Sequence, residues 1–552
     1  MRLITLRLLI LFYLSLLSLH ASSYVIITVL YNSEKQCHKI IESLTNQVNA
    51  DYEILLIDDG STDDTPHKVP LYLKNLKIQK KVRFIRHNKH KGILERAYQH
   101  IHKIDEDKIV IYLNQHSYFS TNNAIEKIDA LWKQKKPWLL FFNQKNAKTK
   151  RIEKTKTYKS PNLFFNSMRG KMWHYPHLKI FPASLFKKVK LQEFFFRGQF
   201  YSENFEETYM FPMMEMAEKK VHFSSTVLCE YFPVKKNKEK PCDSSPIKAK
   251  RTIIKRSAYS PLSSLNTEPI KDKKADLLIF SYDRPMQLWA LLESVEKNYS
   301  NVDRIYVIYR VSNEKYEKAY QEVKMRFSTI NLLKQSDKPY HDFKPLVVET
   351  LFGKVGAKCP YVIFAVDDMI AKAPVDIATC IEALEKTKSY FFSLRLGKSI
   401  NYCYMGDFAQ PIPYHIGLDN QIIAWQLDAA KGDWMYDSSV DMTLYRKQDL
   451  KKVFKRIAFT TPNNLEPLWS NFRQWYYVPN KKERIGLCFS STKALNIPLN
   501  LVNQIDNNKN MAAYSAEELL EKFQQGYRID IRPISRFQNE MVHIDYYPDF
   551  IR

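Results

Sequence analysis

The sequence predicts an α/β protein built from two domains of similar plan in tandem, and three observations lead to that prediction. The first is an approximate duplication. Tyr24–Leu30 is a continuous apolar run, the pattern of a strand buried on both faces, and Ala275–Ser281, apolar over Leu277–Phe280, opens the second copy. The second is that each run is succeeded by a helical pattern and, further on, by another apolar strand ending in a polar cluster. Lys108–Leu113 runs into Asn114, and Tyr361–Val366 runs into Asp367 and Asp368. The third is size. A chain of 552 residues exceeds what one core organises, and 45% apolar content is enough for globular domains.

Residues 1–23 carry two readings. Arg2 and Arg7 precede an uncharged run of 12 residues, Leu8–Leu19, with Ala21 and Ser23 as small residues before a cleavage point, which is the pattern of a signal peptide. With Arg7 snorkelling to the interface, Leu3–Leu19 is instead a marginal membrane anchor. Location is correspondingly expected at the cytoplasmic face of a membrane or outside the cell after export.

The first domain is expected over residues 24–232. After the strand Tyr24–Leu30 comes a short helix, Cys37–Leu44, and a second strand, Tyr52–Ile57. That strand ends in Asp58, Asp59, Gly60, Ser61, Thr62, Asp63 and Asp64. It is a turn-forming acidic segment at a strand's carboxyl end, where open parallel sheets place ligands. Residues 233–274 form a basic linker, with Lys235, Lys236, Lys248, Lys250, Arg251 and Arg256 among Pro233, Pro241, Pro246 and Pro261. It reads as a solvated, self-repelling connector or as a strip lying on an anionic membrane surface. The second domain, 275–552, repeats the order. Pro285 fits the first turn of a helix over Met286–Val295, Arg304–Tyr309 is the next strand, and Tyr316–Phe327 is a further helix. Beyond Tyr445 the pattern is mixed, with a late helix at Ala516–Phe523 introduced by Ser515.

A formal charge of +25 favours anionic partners. No aromatic residues interleave in the most basic part of the linker, so nucleic acid is not expected as a partner. The seven cysteines are scattered with no zinc spacing, which argues against both a disulfide framework and a zinc site.

Val25 to Glu34, then Ser43, Leu44 and Gln47, then Glu53 to Asp63 together resemble the opening of family-2 glycosyltransferases with the GT-A fold. The resemblance implies two GT-A-like, Rossmann-like nucleotide-diphospho-sugar transferase domains in tandem. It also implies a nucleotide-sugar site with Asp58 and Asp59 at the base or ribose. A strand-end carboxylate suits that role because it accepts hydrogen bonds from ribose hydroxyls or a base N–H. The first copy departs from the family after its Ile109–Leu113 strand. The family's paired acids for Mn²⁺ or Mg²⁺ are replaced by Asn114, Gln115 and His116, so the metal motif reads as degenerate and the domain as inactive, the alternative being poor metal binding through Asn114 and His116. Among Glu206, Glu207 and Glu215, which resemble the acceptor-side carboxylate, Glu215 is the selected candidate.

The second copy keeps two acids, Asp367 and Asp368, as candidate metal ligands. Tyr282 and Arg284 resemble the Tyr-x-Arg segment of exostosin-like transferases and are assigned, with Lys344, to the nucleotide. Asp433 is the first candidate for the base that activates the acceptor hydroxyl and Asp441 the second, while Trp425, Trp434 and Tyr436 are expected to form a sugar platform. The expected activity is metal-assisted transfer of a sugar from a nucleotide sugar to a glycan, lipid or other hydroxyl acceptor. The rival is a glycan-binding or scaffolding protein made of retired transferase domains.

Overall fold

The computed structural model describes residues 24–48, 51–75, 81–155, 169, 176–201, 206–233, 245–266, 268–472, 484–500 and 514–552. Residues 1–23 lie outside them, so the signal-peptide and anchor readings do too. Among the described residues no helix is long and apolar enough to cross a membrane. The chain divides into two compact units, one of residues 1–196 and 200–268, the other of residues 197–199 and 269–552.

In the first unit, β1 (Tyr24–Leu30) is buried at all seven positions, as its β-branched and apolar run demands. It lies between β2 (Tyr52–Asp58) and β4 (Ile109–Leu113), parallel to both. With β3 (Lys81–Arg86), β5 (Ser117–Phe119), β6 (Leu139–Asn146), β7 (Leu178–Pro182) and β8 (Val221–Tyr231), the strand order is β3-β2-β1-β4-β7-β6-β8-β5. Helix α1 (Cys37–Thr45) buries Cys37, Ile40, Ile41 and Leu44 against Ile26, Leu30, Ile54 and Ile111. Helix α2 (Glu207–Ala217) buries Met210, Met213, Met214 and Met216. The parallel arrangement brings the carboxyl ends of β1, β2 and β4 to one edge, and the Asp58 to Asp64 turn is there.

Part of the expected linker is structured. Helix α3 (Ser245–Lys255) buries Ala249 and Ile253, and Arg256 pairs with Glu193 at 3.1 Å and donates to the carbonyl of Phe195 at 2.8 Å. Residues 245–256 therefore belong to the first unit, because their apolar positions fall on one helical face that the basic residues do not occupy. Residues 234–244 lie outside the described residues.

The second unit is built on β9 (Ala275–Tyr282), β10 (Val302–Arg310), β11 (Asn331–Lys334), β12 (Tyr361–Val366), β14 (Phe391–Ser393), β15 (His415–Gly417), β16 (Ile422–Gln426), β17 (Thr443–Arg446) and β18 (Ile485–Phe489). Their order is β11-β10-β9-β12-β17-β14-β18-β16-β15. The first seven strands of this path repeat the chain order and polarity of β3-β2-β1-β4-β7-β6-β8: three parallel pairings, two antiparallel ones, then a parallel one. Even the short strand after the fourth has a counterpart. β13 (Met369–Ala371) comes after β12 and pairs antiparallel with β19 (Ala494–Asn496), as β5 comes after β4 and pairs antiparallel with β8. Helix α4 (Pro285–Asn298) has Pro285 in its first turn, and α6 (Ala516–Gln524) opens on a Ser515–Glu518 capping box; between them in the chain lies α5 (Pro339–Phe352).

The core of this unit corrects the expected sugar platform. Trp425 and Trp434 are both 0% exposed, packed edge to face with centroids 4.9 Å apart. Their indole N–H groups donate to the carbonyls of Trp434 at 2.9 Å and Ile400 at 3.1 Å. A sugar cannot reach either face; their flanking polar residues suggested a surface that the fold turns inward.

Candidate active site

In the first unit the β2 terminus separates two neighbouring carboxylates that the sequence grouped together. Asp59 is saturated by protein. Its oxygens accept from Arg96 Nε at 2.6 Å, Gly92 N at 2.8 Å and Lys91 N at 3.1 Å, with His90 Nδ1 at 2.9 Å. It anchors the segment 89–96 and is not available to a nucleotide, which corrects its assignment. Asp58 is the opposite case. It is fully buried, its Oδ1 accepts from Ser61 N at 3.3 Å, and its Oδ2 has no hydrogen-bond partner. Burial raises its pKa above the ordinary carboxylate value, against the opposing effect of Ser61. A buried carboxylate oxygen left open at a strand's end is a site for an N–H or O–H donor from a ligand.

The turn that presents Asp58 needs Gly60. Its φ is +70°, and a Cβ there would lie 2.6 Å from the backbone N of His90. The turn is laced to the β1 terminus by Asn32, whose Oδ1 accepts from Thr62 N at 2.9 Å, and by Thr65, whose Oγ1 accepts from Ser33 N at 2.8 Å.

At the end of β4 the neutral amides serve the protein itself. Gln115 Oε1 accepts from Tyr31 N at 2.7 Å and Ser33 Oγ at 3.1 Å, and Asn114 Oδ1 accepts from His116 N at 3.0 Å. Burial lowers the pKa of His116, so its ring is a neutral donor or acceptor. Glu215 is also corrected. It is 0% exposed and holds Arg169 through two bonds, Nε at 2.6 Å and Nη2 at 2.7 Å. It sits on α2 beside the four buried methionines, so this acid is a core ion pair. Glu206, at the start of that helix, is the one nearer solvent, paired with the buried Lys179 at 2.8 Å.

The second unit gathers its acids where the first has amides. Asp367 Oδ2 accepts from Ser281 Oγ at 2.8 Å and Tyr282 N at 3.2 Å, the same tie to the β1-equivalent strand that Gln115 makes in the first unit. Asp367 Oδ1 and Asp368 Oδ2 share one donor, Arg284 Nη1, at 3.0 and 3.2 Å, and Asp368 Oδ1 accepts from Asn496 Nδ2 at 2.8 Å. Arg284 Nη2 donates to the carbonyl of Asn500. Both acids face a narrow crevice of about 10 Å³, room for roughly one water, walled by Gln287, Ile370, Ile497 and Leu499. Among the described residues, four buried polar atoms of this region have no partner: Arg284 Nε, Gln287 Oε1, Asn496 Oδ1 and Asn500 Nδ2. The preceding residue, Asp283, has φ +52°, an uncommon conformation for a non-glycine residue.

Two hard carboxylates after a strand, with a guanidinium lodged between them, suit a divalent cation by donor chemistry, Arg284 standing in for the positive charge the pair requires. Asp368 is pushed up to about 7, chiefly by burial, with Asp367 and Asp441 adding and Arg284 opposing. Among the described residues, a three-ligand grouping of His, Cys, Asp or Glu occurs elsewhere, at Asp276, Asp303 and Cys359. Lys447 and Arg304 already neutralise Asp276 there, at 2.6 and 3.0 Å.

The remaining candidates divide. Asp441, at the start of β17 beside the end of β12, pairs with Arg395 at 3.0 Å and acts on Asp368, so it belongs to this site. Asp433 is held by Gln410 through its carboxylate at 2.9 Å and its own N–H at 2.9 Å, and a base engaged on both sides is a poor first choice. Tyr436 is half-buried and donates to Glu466 Oε2 at 2.9 Å; its role is to orient an acid, which corrects its place in a stacking platform. The ring of Tyr282 carries the guanidinium of Arg310 at 4.7 Å. Lys344 lies on α5, where it donates to the carbonyl of Lys455 at 3.1 Å. Sequence reasoning missed Glu466, Arg395 and His543, which the fold brings to Asp441 from distant positions.

Glu466 is pushed up to about 7, first by burial and then by Asp441, against the Val440 N–H and Arg395. A folded value above the unfolded 4.5 means that the folded state keeps the proton longer, so this contribution to stability is complete at low pH and is lost as pH rises toward about 7. Thermal melts of the wild type and Glu466→Gln between about pH 5 and about pH 8 are expected to show the variant gaining on the wild type as pH rises. A constant difference contradicts the raised value.

The first unit thus combines an α/β sheet whose parallel strands end together with a buried strand-end carboxylate that has an open oxygen. Residues 25–195, within the first unit, match the family described as Glycosyl transferase family 2. The chain is 25% identical over 205 residues to the bifunctional glycosyltransferase pgtA of Dictyostelium discoideum, covering 34% of this chain and 26% of that protein. It thus spans about a quarter of the length of the curated relative it matches. Solved structures similar to it include S. aureus TarS (16% identity, TM-score 0.30, covering 38% of this chain and 60% of that one). The mannosyltransferase PcManGT of Pyrobaculum calidifontis, solved with GDP-Man and Mn²⁺, gives 14% identity, a TM-score of 0.28 and coverage of 40% and 59%.

Proposed function

We propose that the chain is a glycosyltransferase that moves a sugar from a nucleotide sugar to a glycan, lipid or other hydroxyl acceptor, with the chemistry in the second unit and nucleotide binding without turnover in the first. One observation supports the assignment of the second unit. Its sheet repeats the seven-strand order of the family 2 unit, and the repeat sets Asp367 and Asp368 where the first unit has Asn114 to His116. In this reading both units are GT-A-like, Asp58 meets the base or ribose in the first, and Tyr282 and Arg284 meet the diphosphate in the second. Asp367 and Asp368 would hold Mn²⁺ or Mg²⁺, which supplies charge neutralisation at the leaving diphosphate. Asp441 or Glu466 accepts the proton of the acceptor hydroxyl; a carboxylate raised to about 7, as Glu466 is, works near neutral pH. The basic residues of 233–244 suit an anionic membrane surface, with location either at the cytoplasmic face or beyond it after export.

The test is release of nucleoside diphosphate from UDP- and GDP-sugars by the purified full chain with Mn²⁺. Asp368→Ala is expected to lose about a hundredfold or more, the size of losing a main electrostatic contact to the leaving group, and Asp367→Ala at least as much because it also frees the β9 terminus. Equal rates in all three proteins retire the second-unit assignment. The pairing of both acids with Arg284 favours one other reading, a glycan-binding unit without turnover, which predicts retention on immobilised glycans and no diphosphate release.

A further inference from the structure

We propose that Arg284 is an internal counter-cation, which holds the Asp367–Asp368 pair until a divalent cation takes them and then turns its guanidinium to the nucleotide's diphosphate. The inference rests on the reading of the second unit as a metal-assisted nucleotide-sugar site.

The geometry points to exchange rather than to a permanent ion pair. A single nitrogen, Nη1, serves one oxygen of each acid at 3.0 and 3.2 Å, so one group with one charge bridges two carboxylates as a metal would. With both acids ionised the trio carries a net charge of −1, and a diphosphate arriving at it is repelled. A divalent cation held by Asp367 and Asp368 would neutralise the acids and free the guanidinium, whose planar fork matches phosphate oxygens. Arg284 is placed to make the move. It stands at the start of α4, where backbone N–H groups already favour an anion, its side chain is 12% exposed, and its Nε is without a partner. The amides beside it are also incompletely used: Gln287, Asn496 and Asn500 are each at most 3% exposed and each has a side-chain polar atom with no partner. A buried group of that kind costs free energy unless some state of the protein satisfies it. The crevice beside the two acids, about 10 Å³, is too small for a diphosphate, so the nucleotide is expected on the Arg284 side of the pair.

Two consequences are measurable by binding alone. Because Arg284 competes with the cation and attracts the nucleotide, Mn²⁺ and UDP must strengthen each other, and the coupling must pass through this residue. Mn²⁺ binding to the full chain is read by the electron paramagnetic resonance of free Mn²⁺, with and without UDP, and Asp368→Asn identifies the portion belonging to this site. In the wild type UDP is expected to tighten that portion by about 5- to 150-fold, the ordinary range of a coupling between two ligands. Arg284→Met, unbranched, uncharged and too short to reach the acids with a donor, is expected to bind Mn²⁺ alone more tightly than the wild type by a comparable factor and to gain little from UDP. Arg284→Lys, which keeps the charge but not the fork, is expected to fall between them. If Arg284→Met fails to fold, the wild-type coupling and Arg284→Lys decide. Wild-type Mn²⁺ affinity indifferent to UDP overturns the exchange, as does an Arg284→Met protein that binds Mn²⁺ no more tightly than the wild type. Failure of the underlying reading looks different: no Mn²⁺ binding, with or without UDP, that Asp368→Asn removes.

Discussion

Asp58→Asn is expected to fold as stably as the parent chain while losing about tenfold or more in nucleotide affinity, whereas Asp59→Asn is expected to destabilise the first unit by about 3–5 kcal/mol. The two acids are adjacent, both fully buried, and distinguished by what touches them. Asp59 neutralises Arg96 and receives the N–H groups of Lys91 and Gly92, so an amide in its place leaves a buried guanidinium without its charge partner and turns an NH₂ toward donors. Asp58 is met by Ser61, whose N–H lies 3.3 Å from Oδ1, and its Oδ2 has no hydrogen-bond partner among the described residues. Burial already raises its pKa, which means that the ionised form is carried at a cost and that a neutral amide relieves it. The affinity loss comes from removing an acceptor whose hydrogen bonds to a ligand are charge-assisted, worth about 1.5–3 kcal/mol. Stability is read by hydrogen exchange in β1 and β2, and affinity by calorimetric titration of UDP on an Asp368→Ala background, where the second unit is expected to contribute least. Unchanged UDP binding in Asp58→Asn removes the nucleotide role of this carboxylate. Equal destabilisation by both variants removes the distinction between them.

That contrast also marks where the sequence stopped being informative. The strands β1, β2, β4, β9 and β12 were legible because each is built on a run of at least four apolar residues, as burial on both faces favours. Pro285 and Ser515 announced their helices because a missing N–H and a capping hydroxyl act locally. Which of two neighbouring aspartates is saturated depends on Arg96, 37 positions away, and no local rule reports it. Glu215 misled for a related reason: its partner Arg169 is 46 positions upstream. The cluster of Arg395, Asp441, Glu466 and His543 was invisible as a group, since β17 runs antiparallel to β12 and only that reversal returns Asp441 to the end where Asp368 lies. Asp367 and Asp368 were legible as acids after a strand, but their shared hold on Arg284 was not.

Trp425→Ala and Trp434→Ala are each expected to destabilise the second unit by about 3–5 kcal/mol, the usual cost of emptying a buried aromatic site. Both residues looked like sugar-stacking surfaces because acids and tyrosines surround them in sequence, and stacking faces would be exposed, dispensable for folding and decisive for acceptor affinity. The structure gives them the opposite properties. Trp425 lies on β16 against Phe391 and Trp434, within the cluster that also holds Phe364, Tyr445 and Trp469. Its indole also closes a buried bond to the Trp434 carbonyl, and Trp434 closes one to Ile400, so truncation leaves an unpaired carbonyl as well as a cavity. Trp425→Phe separates the two costs, since it keeps most of the volume and loses the N–H; it is expected to cost less than Trp425→Ala but more than a volume-conserving swap, about 1–3 kcal/mol. Denaturant unfolding monitored by hydrogen exchange in β16 and β18 checks the order. A Trp434→Ala protein that keeps its stability and loses only acceptor binding returns these rings to the surface role that their burial denies.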